Sequence, residues 1–229
     1  MCSSPRRVSD VMTQTVVSVG RDAPFKEIVR TMKEWRVGAL PVLAGEGRVV
    51  GVVSEADLLP KEEYRDDDPS RMDVVRHLRE VAKAGAVTAG ELMTAPAVTV
   101  RADATLAHAA RLMARKGVKR LPVTDAQGLL AGVVSRADLL TVFLRSDEDL
   151  AEEVRREVVA PLFPGDPPPV HAEVNEGVVT FGGRIRDTSL VPVAARLARA
   201  VEGVVDVRFD LTGPAAAGHG GPPVVGPLF

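Results

Sequence analysis

Two short motifs in the sequence pair a hydroxyl with a carboxylate at the same spacing. Ser54 and Asp57 follow one apolar run of residues, and Ser135 and Asp138 follow another. At the start of a helix, Ser-x-x-Asp resembles a capping box, in which the two side chains satisfy free backbone N–H groups. The same position suits a ligand, because a helix N-terminus attracts phosphate and a carboxylate accepts hydrogen bonds from a ribose diol. A single copy would favour capping, but the duplication favours ligand binding.

Patterns typical of catalysis and metal binding are missing from the sequence. It contains no Walker loop, no G-x-G-x-x-G loop and no residue order typical of a Ser-His-Asp or Cys-His site. The single cysteine and the wide spacing of the histidines predict no metal site, although a cluster formed only by the fold stays open. The histidines are His77, His108, His171 and His219. We therefore predict no catalytic residue, no metal and no required cofactor.

Composition and apolar run length limit which partners and which cell compartment are expected for this chain. The net charge is −2 and the aromatic content is 3%, so neither a basic field nor a base-stacking platform for nucleic acid is expected. Arg6 and Arg7 precede no apolar run of export-signal length, and apolar runs such as Val49–Val53 are far shorter than the roughly 20 residues of a membrane span. We expect a cytoplasmic protein that binds no nucleic acid.

Both motifs lie in an internal repeat with a constant offset. Met12 and Met93, Pro41 and Pro122, and Asp57 and Asp138 are each 81 positions apart, with no gap between the copies. Apolar periodicity in each copy predicts the order β-α-β-β-α, with the Ser-x-x-Asp motif at the start of the last helix. A three-stranded sheet cannot bury both faces alone, so the copies are expected to pack together as a pseudo-twofold pair.

The C-terminal third predicts a separate small domain of order αββαβ. The predicted elements are a helix at 147–159, strands at 170–174 and 178–185, a helix at 188–201 and a strand at 204–210. The fold class is therefore α+β (α/β-like), a pair of βαββα repeats followed by an αββαβ domain. The predicted divisions are 8–60, a linker with a helix at 61–86, 87–145, 147–212, and a tail at 213–229 whose Gly, Pro and Ala content predicts disorder.

The repeated residues carry a specific resemblance to a known family. Residues 8–143 resemble a tandem pair of CBS domains, a Bateman module, through Met12-Thr13, Gly38–Val42, Gly51–Asp57 and their partners in the second copy. The resemblance implies that AMP, ADP, ATP or S-adenosylmethionine binds in clefts between the repeats. It assigns the ribose hydroxyls to the Asp of the motif and the phosphate to the Ser.

The resemblance implies two clefts of unequal chemistry. One would use Ser54 and Asp57 with Met93, Val98, Val118, Lys119 and Arg120. The other would use Ser135, Arg136 and Asp138 with Met12, Val17, Val37, Gly38 and Ala39. Phosphate groups are expected nearest Lys119, Arg120 and Arg136, because charge-assisted bonds to phosphate are strong. Glu55 stands where the second copy has Arg136, so the Asp57 cleft is expected to hold an uncharged adenosyl group or nothing.

Residues 147–212 resemble a BON domain through Asn175–Gly183 and Val201–Val207. That resemblance implies an envelope association and a phospholipid or other hydrophobic ligand. The leading hypothesis is a non-catalytic regulatory protein, homodimeric through its CBS pair, that binds adenosine nucleotides and uses the BON domain as an output or attachment module. The alternative is a scaffold or envelope-associated protein whose BON domain binds phospholipid or a protein partner and whose nucleotide sites are vestigial.

Overall fold

The computed structural model describes residues 6–63, 78–165 and 167–213. The chain divides between Leu140 and Thr141 into two units with dense internal contacts. The first unit contains the two repeats and the second contains the αββαβ domain. The predicted fold class is confirmed, since helices are combined with three small mixed sheets.

The first repeat forms a three-stranded sheet covered by one long helix. It opens with a 3-10 turn at Val8–Asp10, and its elements are β1 (Val19–Gly20), α1 (Phe25–Trp35), β2 (Ala39–Ala44), β3 (Arg48–Ser54) and α2 (Glu55–Leu58). Strand β2 lies between a parallel β1 and an antiparallel β3. Ile28 and Met32 of α1 pack into a buried cluster with Leu40, Val42 and Val53 of the sheet. The apolar spacing on α1 predicts this face.

The second repeat repeats the same order of elements. These are β4 (Val100–Arg101), α6 (Leu106–Lys116), β5 (Arg120–Thr124), β6 (Leu130–Ser135) and α7 (Arg136–Leu140). Its sheet has the same strand order and the same parallel and antiparallel pairings as the first. Helix α6 ends at Gly117 with a φ of 66°, and α1 ends at the equivalent Arg36 with a φ of 52°. Both helices therefore end in a left-handed residue, although only one copy uses glycine there.

The described residues between the two sheets include the short helices α3 (Pro60–Glu63), α4 (Leu78–Gly85) and α5 (Ala89–Leu92). The predicted linker at 61–86 thus contains helix at both ends, and residues 64–77 lie outside the described part of the chain. Helix α5 begins at Thr88, and Glu91 accepts hydrogen bonds from the backbone N–H groups of Val87 and Thr88. The segment after α4 joins the first repeat, because Phe25 donates its N–H to Val87 at 2.8 Å.

The two repeats exchange their N-terminal segments. Thr13 and Val133 share two backbone hydrogen bonds of 2.9 Å, and Thr94 and Val52 share two of 2.8 and 3.2 Å. The Met residues before these threonines lie on glycines of the facing strand. Met12 contacts Gly132 and Met93 contacts Gly51, where an added Cβ would overlap the thioether. The reciprocal exchange joins the repeats as a pair.

The second unit packs helices on one three-stranded sheet. Its elements after a 3-10 turn at Thr141–Leu144 are α8 (Asp147–Val154), a π-helical turn (Arg155–Val159), α9 (Ala160–Leu162), β7 (Val170–Asn175), β8 (Val178–Arg184), α10 (Leu190–Ala200) and β9 (Asp206–Thr212). Strand β8 is central, antiparallel to β7 and parallel to β9. The buried cluster includes Leu150, Val154 and Phe181. The predicted helix at 147–159 is interrupted by the π turn and extends to Leu162. Residues 214–229 of the predicted tail lie outside the described residues.

Candidate functional site

The first Ser-x-x-Asp motif stands where β3 passes into α2. Ser54 is the residue before the helix and has extended backbone angles. Asp57 accepts hydrogen bonds at Oδ2 from the N–H and the hydroxyl of Ser54, both at 2.7 Å. The Asp57 residue is only 8% exposed. The carboxylate is therefore fixed in place by the cap that its spacing predicts.

The second motif has the same geometry at the junction of β6 and α7. Asp138 accepts at Oδ2 from the N–H of Ser135 at 2.7 Å and from its hydroxyl at 2.8 Å. Asp138 also donates its own N–H to the Ser135 hydroxyl at 3.3 Å. Asp138 is half-buried. Both copies thus form the cap through one carboxylate oxygen, Oδ2.

Residues of the opposite repeat lie beside each motif strand. Met93 contacts Gly51 on the strand that ends at Ser54, and Met12 contacts Gly132 on the strand that ends at Ser135. The structure therefore brings together those parts of each predicted cleft. Val17 and Val98 are half-buried in the extended segments before β1 and β4. Val17 packs on the core of the first repeat.

The residues just before each Leu-Pro pair lie next to the motif of their own repeat. Ala39 is in register with Ser54, and Gly38 accepts a backbone hydrogen bond from Glu55 at 3.1 Å. In the second copy, the corresponding neighbours are Val118, Lys119 and Arg120 beside Ser135 and Arg136. Arg120 is in register with Ser135, the Arg136 N–H donates to the Lys119 carbonyl at 3.1 Å, and the Arg136 guanidinium donates to the Val118 carbonyl at 3.2 Å.

Three cations therefore neighbour the second motif along the backbone. Lys119, Arg120 and Arg136 are all exposed, and the hydrogen bond to Val118 orients the Arg136 guanidinium. At the equivalent positions, the first motif has Gly38, Ala39 and Glu55. A Cβ added to Gly38 would lie 2.9 Å from a Glu55 carboxylate oxygen. Glu55 thus brings an acidic group to the first motif at the position where the second motif has the basic Arg136.

An open crevice of about 580 Å³ is lined by residues of both repeats. It is lined by Val29, Met32, Lys33, Arg36, Val37, Gly38, Glu55, Leu58 and Arg120. Arg120 comes from the second repeat, and every other lining residue comes from the first. Sequence reasoning missed Lys33 and Arg36, which lie at the end of α1 and bring two more cations to this crevice. Their spacing from Val29, one helical turn for Lys33 and two turns for Arg36, was the available signal.

Lys83 is a third residue that sequence reasoning missed. Its Nζ forms an ion pair with Oδ1 of Asp57, with the lysine side chain 19% and the aspartate side chain 11% exposed. Lys83 lies in the last turn of α4, 26 residues after Asp57. No local pattern links residues so far apart in sequence. The first motif therefore has a cationic partner supplied by the segment between the repeats.

Three carboxylates outside the motifs have lowered pKa values. Backbone hydrogen bonds from Val87 and Thr88 lower the pKa of Glu91. The hydrogen bond from Arg101 lowers the pKa of Asp103, and hydrogen bonds from Ser189 lower the pKa of Asp187. Each of these groups stabilises a turn or a helix start in its ionised form.

Within 6–63, 78–165 and 167–213, no three or more His, Cys, Asp or Glu side chains are grouped so as to hold a metal ion. No helix in these ranges combines the length and the apolar character needed to cross a bilayer.

Comparison with known proteins identifies the family of each part of the chain. Residues 8–62 and 89–145 match the CBS domain, and residues 146–212 match the BON domain. The crystal structure of CBSX2 in complex with AMP, from Arabidopsis thaliana, is 32% identical with a TM-score of 0.53, over 60% of this chain and 96% of that one.

Two further relatives match this chain. The uncharacterized protein MJ1426 of Methanocaldococcus jannaschii is 27% identical over 153 residues, which are 60% of this chain and 90% of that protein. Inosine-5'-monophosphate dehydrogenase of Korarchaeum cryptofilum is 28% identical over 212 residues, which are 85% of this chain but 39% of that enzyme. The chain belongs to the CBS-domain family, as a tandem pair of CBS domains followed by a BON domain.

Proposed function

We propose that this protein is a non-catalytic regulatory sensor that binds adenosine-containing ligands between its CBS repeats. The observation that carries the proposal is the duplicated cap, in which a fixed carboxylate stands beside a strand that the opposite repeat covers with a Met-Thr segment. Asp57 and Asp138 occupy this position in the two copies. The AMP bound to CBSX2 supports the same ligand class, because 96% of the CBSX2 chain matches 60% of this chain.

The Asp138 cleft is the proposed nucleotide site. The two hydroxyls of a ribose would donate to the Asp138 carboxylate, and the phosphates would face Lys119, Arg120 and Arg136. Charge-assisted bonds to phosphate are about twice as strong as neutral ones, so three cations favour a ligand with a 5′-phosphate. Ser135, Met12, Val17, Val37, Gly38 and Ala39 complete the proposed site.

The Asp57 cleft is proposed to prefer a ligand without a phosphate. Glu55 lies at the start of α2 and would repel a phosphate that approached Ser54. Met93, Val98, Val118, Lys119 and Arg120 are its other proposed residues, the last two shared with the phosphate region of the second site. An adenosine or S-adenosylmethionine moiety fits this balance of charge better than ATP.

Binding is proposed to act through the packing of the two repeats. A ligand changes that packing only if it has a higher affinity for one arrangement than for another. The BON domain would serve as the output or attachment module, and the compartment proposed is the cytoplasm. A homodimer through the CBS pair is part of the proposal, and the exposed large apolar side chains Val29, Trp35 and Leu59 support a contact surface on that unit.

Isothermal titration calorimetry of the full chain with AMP, ADP, ATP and S-adenosylmethionine tests the proposal. Asp138→Ala should remove nucleotide binding at the second cleft, and Asp57→Ala should leave it in place. Asp22→Ala, at an exposed aspartate of the same unit, is the matched control and should bind like the wild type. Undiminished binding by the Asp57→Ala, Asp138→Ala double variant would show that the ligand binds elsewhere.

A second role for the BON domain is supported by a shallow groove on its long helix. The groove has a volume of about 450 Å³ and is lined by Pro192, Ala195, Arg196, Arg199 and Ala200 of α10. Two arginines beside apolar surface suit an anionic phospholipid headgroup. Full-length protein should co-sediment with phosphatidylglycerol vesicles and lose this binding in an Arg196→Glu, Arg199→Glu variant. Equal sedimentation with neutral vesicles would contradict this role.

A further inference from the structure

Lys83 contacts the carboxylate that the first cleft would offer to a ribose. Its ammonium pairs with Oδ1 of Asp57, and both side chains are largely shielded from water. Ser54 already donates two hydrogen bonds to Oδ2 of the same carboxylate. Each oxygen of Asp57 therefore has a donor from the chain itself, and one of these donors is a cation.

The backbone around Lys83 is fixed by a second lysine. Lys61 donates from Nζ to the carbonyl oxygens of Ala84 at 2.9 Å and Ala86 at 3.0 Å, and the same ammonium lies 5.3 Å from the centroid of the Phe25 ring. Ala86 is buried and donates its N–H to the Lys83 carbonyl at 3.1 Å. These contacts hold the end of α4 on the first repeat, so the Lys83 ammonium is presented to the first motif by an anchored backbone.

We infer that Lys83 is a built-in competitor for the Asp57 carboxylate, an inference that rests on the proposed function. A ribose diol offers neutral O–H donors, whereas the ammonium offers a charge-assisted bond of greater strength. An adenosine ligand in the first cleft must displace Lys83 before its diol can reach Oδ1. The affinity of that cleft is therefore set by the lysine as well as by the aspartate.

The competition also separates the two clefts by ligand class. A ligand that displaces Lys83 removes one cation from the side of Asp57 and Glu55, so a 5′-phosphate near Ser54 meets these carboxylates with less compensating charge. Adenosine, which carries no phosphate, avoids this repulsion. The Lys83 ammonium thus occupies the Asp57 carboxylate of the first cleft, and a neutral nucleoside is the ligand best able to displace this ammonium.

The test isolates the first cleft by placing every variant in an Asp138→Ala background of the full chain. Calorimetric titration with adenosine should show about 10- to 100-fold tighter binding for Lys83→Met than for the parent, because one charge-assisted hydrogen bond no longer has to be broken. Lys83→Arg keeps the cation and should bind like the parent. Lys26→Met, at an exposed lysine on α1, is the control for a general change of charge.

A second variant keeps the inference testable if Lys83→Met fails to fold. Lys61→Met leaves the ion pair intact but removes the anchor of its backbone, so adenosine should bind more tightly by a smaller factor. Adenosine binding that is unchanged or weaker in both Lys83→Met and Lys61→Met would overturn the inference. Weaker binding would indicate that Lys83 contacts the ligand and does not compete with it. If AMP binds the wild type but Lys83→Met does not tighten adenosine binding, only this inference is lost. If no adenosine compound binds the wild type or any variant, the proposed function fails and the inference fails with it.

Discussion

The two glycines under the exchanged methionines allow the packing of the repeats to be tested quantitatively. The three atoms nearest to a methyl group at Gly51 all belong to the Met93 side chain, whereas a methyl at Gly132 would lie 2.8 Å from the Met12 sulfur and 2.9 Å from the Thr13 carbonyl oxygen. The Met93 side chain can rotate away. The Thr13 backbone cannot, because its two hydrogen bonds to Val133 hold it in place. Added atoms in a packed core cost about 1–3 kcal/mol, and relief by a flexible neighbour lowers that cost.

We therefore expect Gly51→Ala to lower the free energy of unfolding by about 1 kcal/mol and Gly132→Ala by about 3 kcal/mol, the two ends of that range. Trp35 is the only tryptophan and lies in α1, so its fluorescence during urea unfolding reports on the CBS unit. Adding Met93→Ala should remove most of the extra cost of Gly51→Ala, since the overlapping thioether is gone. Adding Met12→Ala should not do the same for Gly132→Ala, because the Thr13 carbonyl remains. Equal costs for the two glycines, or full rescue in both pairs, would refute this account of the interface.

Three further predictions follow from local geometry. Arg36→Gly should stabilise the CBS unit by about 0.5–1 kcal/mol in urea unfolding, because the arginine holds a left-handed φ of 52° that glycine adopts without strain. Gly117→Ala, at the equivalent helix end, should destabilise the unit by a similar amount. A lower stability of the Arg36→Gly variant would contradict the argument. Because backbone hydrogen bonds lower the pKa of Glu91, its stabilising effect is present above the pKa of an unfolded Glu and is lost as the pH falls through the lower folded value. NMR titration should show the Glu91 carboxyl ionising below that reference, and Glu91→Gln should remove this part of the acid dependence. Asp147→Ala should lower the stability of the BON unit by about 1–3 kcal/mol, because the N–H groups of Glu176 and Gly177, bonded to Asp147 at 2.8 and 2.9 Å, lose their acceptor. Amide hydrogen exchange at Glu176 and Gly177 should become faster in this variant. The control Asp149→Ala should leave the exchange rates of both amides unchanged.

Much of the fold was predictable because it depends on local patterns. Apolar periodicity predicts the order β-α-β-β-α in each repeat, and both repeats have it, with α1 and α6 as their long helices. The Ser-x-x-Asp spacing predicts both caps, and the caps form with hydrogen bonds of 2.7–2.8 Å. Those features require only residues that are close in sequence, so a single chain without relatives is enough to find them.

The features that sequence reasoning missed depend on contacts that only the fold creates. The Lys83 ion pair joins residues 26 positions apart and requires the path of the inter-repeat segment. The π turn at Arg155–Val159 inserts an extra residue into a helix whose apolar spacing predicts a regular one. The left-handed backbone conformation of Arg36 could not be predicted either, because arginine gives no sequence signal for a helix end. In each case tertiary packing overrides local preference.

The divergence of the two copies explains why a duplicated motif need not give duplicated function. The caps at Asp57 and Asp138 are geometrically alike, so the structural requirement was preserved in both. The charged residues around them changed in opposite directions, with Glu55 and the Lys83 ion pair at one motif and Arg136 beside two further cations at the other. A cap constrains only one carboxylate oxygen, which leaves its surroundings free to vary without loss of the helix start. In the proposed function these neighbours, and not the caps, decide which ligand each cleft takes, and displacement of Lys83 would connect occupancy of the first cleft to the segment between the repeats.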